Sequence, residues 1–154
     1  MMLAAVTAVI VFILDLVTKG IIQNDVSLHN VTVIEGFFHI TYAKNTGMAW
    51  SLLEGQQTLL AVISAVAILA MILYLVREKP GKVTVFALGL MIGGAAGNLY
   101  DRAVLNYVRD FLNFYIFGYD FPIFNVADSA LTVGVGLLLL LSFFEEKKHD
   151  DAKI

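Results

Sequence analysis

Long apolar runs alternate with short polar stretches along this chain. The runs cover residues 3–22, 58–76, 83–100 and about 127–144. A helix needs roughly 20 predominantly apolar residues to cross the hydrocarbon core of a bilayer. The second and third runs contain no charged residue, whereas the first carries Asp15 and Lys19 and the fourth opens near Asp128. The pattern predicts four membrane-spanning helices.

The loops between the runs have patterns of their own. In residues 31–43, VTVIEGFFHITYA, two alternating stretches flank Glu35-Gly36, which is typical of a β-hairpin. Residues 101–126 mix many aromatic side chains with a few charges, as at a water–lipid interface. The predicted fold class is an all-α membrane protein with four transmembrane helices and a small outer subdomain containing a β-hairpin. We expect residues 1–154 to form a single integral membrane domain, with outer loops 23–57 and 101–126.

Composition supports a membrane setting and excludes other classes. The chain of 154 residues is 59% hydrophobic and 15% charged, and its mean hydropathy is +0.81. A soluble fold of this size could not bury so much apolar surface. The net charge of −3 is unlike the strongly basic charge that is typical of nucleic-acid-binding proteins. The absence of cysteine excludes disulfides, thiolate metal sites and cysteine nucleophiles.

Basic residues predict the orientation, because Lys and Arg are enriched in short cytoplasmic loops. The loop after the second run and the C-terminal tail hold most of them: Arg77, Lys79, Lys82, Lys147, Lys148 and Lys153. The loop 23–57 has one, Lys44. Both termini are therefore expected in the cytoplasm and both long loops outside. The first run lacks the basic region and cleavage site of a signal peptide, so we interpret it as a retained span.

Polar residues in the spans are candidates for chemistry. Asp15 and Lys19 are four residues apart, which favours an ion pair on one helix face; a direct substrate role is the alternative. Gly89, Gly93 and Gly97 repeat every four residues and predict a groove for close helix packing. Asn98, Asp101 and Arg102 follow on that helix, either as a functional cluster or as capping and pairing groups of a helix end.

Three aspartates, Asp101, Asp110 and Asp128, are expected on the same outer surface. Two carboxylates held close together share a proton, and such a pair can activate water and protonate a leaving amine. Spacing alone does not choose which two form the pair, and Asp128 read in isolation is a helix N-cap. The histidines, His29, His39 and His149, have no metal-ligand spacing, so we expect no metal and no cofactor.

Five motifs in order resemble one known family. They are DLVTK, NTGMAWS, GGAAGNLYDR, VRDFL and FNVADSA, and they run from Asp15 to Ala130. Each is weak alone, but together on a four-span background they are specific. On these motifs the chain resembles bacterial lipoprotein signal peptidase, also called signal peptidase II.

The resemblance implies a multi-pass aspartic peptidase of the bacterial cytoplasmic membrane, with its active site near the outer face. Such an enzyme removes the signal peptide of a diacylglyceryl-modified prolipoprotein by cutting before the lipidated cysteine. It works among membrane lipids, without a cofactor, and globomycin-type cyclic peptides inhibit it. The match implies that Asp110 and Asp128 are catalytic and that Asp15 and Lys19 form a supporting pair. Residues implied to line or brace the site are Asn45, Gly47, Asn98, Asp101, Arg102, Asn125 and Ala127.

Three positions depart from the family pattern: Met48, Tyr100 and Arg109. A cation at Arg109 would favour the charged form of Asp110, although adjacent side chains in an extended segment point apart. The alternative function is a small non-enzymatic membrane transporter, or a structural partner in a membrane complex. The second and third runs argue against a transport path, because they contain no acid or base.

Overall fold

The computed structural model describes residues 1–48 and 52–151, so Lys153, one of the basic residues behind the predicted orientation, lies outside it. This part of the chain has four long helices, α1 (Met2–Asn24), α2 (Gln57–Glu78), α3 (Lys82–Leu105) and α4 (Val126–Asp151). It also has four strands, β1 (Asn30–Ile34), β2 (Phe38–Asn45), β3 (Val108–Ile116) and β4 (Tyr119–Asp120). The predicted fold class, four membrane helices with a small hairpin-containing subdomain, is confirmed.

The helices among the described residues are all long and apolar enough to cross a membrane. Their bounds lie close to the apolar runs, except that α3 continues past residue 100 to Leu105 and α4 continues past residue 144 to Asp151. Asp101 and Arg102 end the apolar run but not the helix, which stops at Asn106 in the left-handed conformation (φ +61°). This polar cluster is thus close to the helix end, as one interpretation expected, and Asp101 forms ion pairs there. Its side chains project from the last turns of an intact helix.

Helix α3 is central and packs against α1, α2 and α4. Three of its glycines, Gly89, Gly93 and Gly97, face α1, as the four-residue repeat predicts. A Cβ atom at Gly93 would lie 2.6 Å from the carbonyl oxygen of Ala8, and one at Gly97 would overlap the carboxylate of Asp15. The close approach of α1 and α3 therefore depends on glycine, and it brings the polar residues of α1 against those of α3.

The outward faces of the helices are apolar. On α1, large aliphatic side chains such as Val9, Ile13 and Val17 are about half exposed. Most large side chains of α2 are exposed as well, since its main helix contact is α3. In lipid these faces are the expected surface of a multi-pass membrane protein, because acyl chains cover them.

A four-stranded antiparallel sheet in the order β1-β2-β3-β4 covers one end of the described bundle. The hairpin predicted around Glu35-Gly36 joins β1 to β2, and Gly36 takes the positive φ (+67°) that its turn needs. In the β2–β3 pairing, Ala43 lies opposite Asp110 and Lys44 opposite Arg109. This register sets which side chains of β3 face the helices.

Candidate active site

Strand β3 carries Asp110, and the pairing with β2 determines its neighbours. Alternate residues of a strand point to the same face of the sheet, so Asn45 lies on the same face as Ala43, opposite Asp110. The side-chain amide Nδ2 of Asn45 donates to Oδ2 of Asp110 at 2.9 Å. Asn45 is thus the first of the polar groups that hold this carboxylate.

The segment before α4 brings Asn125 to the other side of Asp110. Phe124 pairs with Leu112 in an isolated antiparallel bridge, with its N–H donating to the Leu112 carbonyl oxygen at 3.1 Å. Leu112 is two residues beyond Asp110 on β3. Asn125 directly follows Phe124, so the bridge places its side chain within reach of the Asp110 carboxylate. Its Nδ2 donates to Oδ1 of Asp110 at 2.6 Å.

Asn125 also begins α4 and binds Asp128. Its Oδ1 accepts from the backbone N–H of Asp128 at 2.9 Å, and its own backbone N–H donates to Oδ2 of Asp128 at 3.2 Å. This reciprocal pair is a capping box in which Asn125 is the N-cap. The interpretation of Asp128 as the N-cap is therefore wrong, because Asp128 lies three residues later, inside the first helical turn. Its carboxylate completes the cap and still has a second oxygen for another partner.

That second partner is Asn98 on α3. Nδ2 of Asn98 donates to Oδ1 of Asp128 at 2.7 Å. Oδ1 of Asn98 accepts from Nζ of Lys19 at 2.9 Å and from Nδ2 of Asn125 at 3.1 Å. Each carboxylate oxygen of Asp110 and Asp128 therefore has a hydrogen-bond donor, and Asn125 contacts both residues.

The surroundings favour a proton on this carboxylate pair. Asp110 is only 2% exposed. Burial, and then the charge of Asp128, raise the pKa of Asp110 to about 7, although the hydrogen bonds from Asn45 and Asn125 act in the opposite direction. Near neutral pH the pair can therefore hold one proton between its two carboxylates, which is the state that general acid–base chemistry requires.

Four buried charged side chains lie next to the Asp110–Asp128 pair: Asp15, Lys19, Asp101 and Arg109. Asp15 and Lys19, predicted to pair, have Oδ2 and Nζ 2.7 Å apart and are fully buried. Lys19 Nζ also lies 3.4 Å from Oδ2 of Asp101, and Nη2 of Arg109 lies 2.6 Å from Oδ1 of Asp101. Oδ1 of Asp15 accepts from the backbone N–H of the buried Ala127 at 2.9 Å, which ties α1 to the start of α4.

The side chain of Arg109 points away from Asp110, as alternation along an extended segment predicts. Its guanidinium points to the opposite face of β3 and forms two hydrogen bonds with the Asp101 carboxylate. Burial and the charge of Asp128, not Arg109, are the main causes of the raised pKa of Asp110. Burial alone would lower the pKa of Arg109, but the hydrogen bonds and charge of Asp101 outweigh it and the pKa is raised.

Gly47 and Arg102 lie together at the rim of the site. Nη2 of Arg102 donates to the carbonyl oxygen of Gly47 at 3.0 Å, and the N–H of Gly47 donates to Oδ1 of Asn45 at 2.8 Å. A Cβ atom at Gly47 would lie 2.8 Å from the carbonyl oxygen of Leu52. A larger residue would therefore disturb the loop that orients Asn45.

An open cleft of about 260 Å³ leads to Asp110. Its walls are the end of β2, the loop after it, and the segment before α4, and they include Lys44, Thr46, Met48, Glu54, Pro122 and Ile123. Met48, one of the departures from the family pattern, is thus a wall residue. Tyr100, another departure, is 42% exposed and contacts the ring of Phe12 edge-on, away from the cleft.

Comparison with known proteins gives a consistent result. The family model described as signal peptidase (SPase) II matches residues 7–144. A lipoprotein signal peptidase of Anoxybacillus flavithermus is 40% identical over 96% of this chain and 89% of its own, and one of Geobacillus kaustophilus is 44% identical over 89% and 90%. A bacterial membrane enzyme solved by the in meso method at 2.3 Å resolution superposes with a TM-score of 0.88, 36% identity, and coverage of 94% of this chain and 90% of that chain.

Proposed function

The chain belongs to the signal peptidase II family, and we propose that it is an aspartic endopeptidase that removes the signal peptide from diacylglyceryl-modified prolipoproteins. The cut falls immediately before the lipidated cysteine. The observation that carries this proposal is the carboxylate pair of Asp110 and Asp128, held together through Asn125 beside an open cleft. The comparisons give no support to a transporter or a structural partner.

The proposed reaction uses water and the two carboxylates. Water between Asp110 and Asp128 loses a proton to the ionised carboxylate, and its oxygen attacks the scissile carbonyl carbon. The protonated partner donates a hydrogen bond, and then its proton, to the carbonyl oxygen. The resulting gem-diol collapses as the C–N bond breaks: one hydroxyl returns its proton to the carboxylate that had protonated the carbonyl oxygen, and the leaving amine of the lipidated cysteine takes the proton that the other carboxylate accepted from water.

The supporting residues have distinct roles in this proposal. Asn45, Asn98 and Asn125 fix the two carboxylates without adding charge, so that one proton can move between them. Gly47 and Arg102 shape the rim, while Ala127 and the Asp15–Lys19 pair fix the start of α4 against α1. These neighbours hold the reacting groups in place before the substrate arrives, which lowers the barrier.

The membrane contributes to substrate orientation in this proposal. The diacylglyceryl chains stay among the lipids along the apolar helix faces, while the peptide enters the cleft in an extended form. The site then lies near the outer face of the bacterial cytoplasmic membrane, with both termini in the cytoplasm. Cyclic peptides of the globomycin type compete for the same cleft.

The proposal is tested with the purified full chain in detergent or lipid. The substrate is a diacylglyceryl-modified prolipoprotein, and the control is the same precursor with its lipobox cysteine replaced by serine, which cannot be modified. We expect release of the signal peptide from the first only, and inhibition by a globomycin-type peptide. Absence of cleavage, or equal cleavage of both precursors, would contradict the proposal.

A further inference from the structure

Arg109 is an unusual residue for its position. It is only 7% exposed, although it is charged, and it directly precedes Asp110 on β3. A buried guanidinium is costly unless it is fully paired. Its partners are therefore informative about what it does for the neighbouring site.

Those partners tie three elements together. Nη2 and Nε of Arg109 donate to Oδ1 and Oδ2 of Asp101 on α3 at 2.6 and 3.1 Å, and its backbone N–H donates to the same Oδ2 at 3.0 Å. Nη1 donates to Oε1 of Gln23 near the end of α1 at 2.8 Å. Arg109, the residue before Asp110, thereby links the start of β3 to α1 and α3 by hydrogen bonds.

The same contacts balance charge around Lys19. An ammonium has three hydrogens to donate, and Lys19 Nζ faces Asp15 at 2.7 Å, Asn98 at 2.9 Å and Asp101 at 3.4 Å. Two buried acids, Asp15 and Asp101, thus face two buried bases, Lys19 and Arg109. Without the guanidinium, Asp101 would keep the backbone N–H of residue 109 as a donor, but Lys19 would have to balance the charge of both acids and would be drawn from Asn98 toward Asp101.

We propose that Arg109 is a positioning residue for the reaction and acts through Asp101. By neutralising Asp101 it leaves Lys19 to hold Oδ1 of Asn98, and Asn98 in turn holds Asp128. By fastening the start of β3 it fixes the depth of Asp110. The side chain of Arg109 thus influences both carboxylates through its neighbours, while its own hydrogen bonds go to Asp101 and Gln23. This inference rests on the proposed function.

The test compares three variants in the prolipoprotein cleavage assay. Arg109→Gln removes the charge, and we expect kcat to fall about tenfold or more with KM within about twofold, because Asp101 loses its charge-assisted hydrogen bonds. Arg109→Lys keeps the charge but not the forked geometry, so its kcat should lie in between. The double variant Asp101→Asn/Arg109→Gln removes both charges and should regain part of the lost kcat, since Lys19 is again free to bind Asn98.

Arg77→Gln, at an exposed position near the end of α2, is the matched control and should leave kcat unchanged. A wild-type kcat in Arg109→Gln, a change confined to KM, or a double variant no more active than Arg109→Gln would each overturn the inference. If Arg109→Gln does not accumulate in the membrane, the double variant decides: we expect it to accumulate and cleave, and its failure to do so overturns the inference. If the wild-type chain itself does not cleave, the proposed function fails instead.

Discussion

The side-chain amide of Asn125 donates a 2.6 Å hydrogen bond to the carboxylate of Asp110, which lies 15 residues earlier in the chain. The contact exists because the segment before α4 runs back along β3 and bridges at Leu112. Through its backbone N–H, Asn125 also binds Asp128. A single asparagine thus joins the cap of a membrane helix to a strand of the sheet.

Asn125→Ala should remove the hydrogen bond that the side-chain amide donates to Asp110 and the one that the side-chain oxygen accepts from the Asp128 N–H, while the backbone N–H of residue 125 still donates to Asp128. Because a hydrogen bond to a charged group contributes about 1.5–3 kcal/mol, we expect kcat for prolipoprotein cleavage to fall about 100-fold. Steady-state kinetics on the purified variant provide the measurement. Asn24→Ala, at the exposed last residue of α1, is the control. A kcat equal to wild type in Asn125→Ala would mean that the bridge does not matter for the reaction.

Asp110→Asn and Asp128→Asn should each stop cleavage while the protein still inserts. Each change removes one partner of the proposed proton transfer, and loss of a general acid or base typically lowers the rate about 10²–10⁴-fold. The readout is signal-peptide release, with membrane insertion checked by fractionation. Asp120→Asn, an exposed carboxylate in β4, should retain full activity. Normal turnover in either of the first two variants would refute the catalytic assignment.

The pH profile of kcat/KM, which reports the pKa values of the free enzyme, should have an alkaline limb near pH 7. The pKa of Asp110 is raised to about 7 by burial and then by the charge of Asp128, so the pair loses its shared proton as the pH rises through that value. Above it both carboxylates are ionised and no proton remains for the scissile carbonyl oxygen. Cleavage rates at substrate concentrations well below KM, measured between pH 5 and 9, give the limb.

Asn45→Ala tests whether Asp110 is the group that titrates in the alkaline limb, because the direction of the expected shift is known. The amide of Asn45 donates to Oδ2 of Asp110 and thereby lowers the pKa of that carboxyl. Its removal disfavours the charged form, so the alkaline limb should move to higher pH even if kcat also declines. A limb that stays in place, or that moves to lower pH, would show that Asp110 does not titrate there.

The sequence was most informative where chemistry and periodicity are local. The apolar runs predicted the four helices, alternation around Glu35-Gly36 predicted the hairpin, and the glycine repeat of α3 predicted close packing on α1. Each of these features depends on residues near each other in the chain. An apolar run does not mark where its helix ends: α3 and α4 both continue beyond theirs, because a polar residue such as Asp101 stops an apolar run without stopping a helix.

Hydrogen-bond partners that lie far apart in the sequence could not be predicted from the spacing of the residues. The link from Lys19 to Asn98 spans 79 residues, and the link from Arg109 to Gln23 spans 86. The first depends on the approach of α1 to α3, and the second on the turn that leads from α3 into β3. For the same reason the cap of α4 was attributed to Asp128 instead of Asn125, since either residue is a favoured N-cap in isolation.

The packing of α1 on α3 can be tested with a pair of matched glycine substitutions. In Gly93→Ala the added Cβ would lie 2.6 Å from the carbonyl oxygen of Ala8 and 2.8 Å from Cβ of Val11, so the helices must separate. Overpacking of this kind costs about 1–3 kcal/mol of unfolding free energy. Lys19 on α1 donates a hydrogen bond to Asn98, and Asn98 donates one to Asp128. Because a displaced α1 would disturb these contacts, kcat should fall as well.

Gly136→Ala on α4 is the control for that substitution, because no heavy atom lies within 4 Å of its added Cβ. There alanine should be neutral or stabilise the helix by about 0.5–1 kcal/mol relative to glycine. Thermal unfolding of both variants in one detergent should therefore show a lowered Tm for Gly93→Ala and an unchanged or raised Tm for Gly136→Ala. Equal Tm shifts would indicate that helix propensity, not the contact between α1 and α3, determines the effect of these glycines.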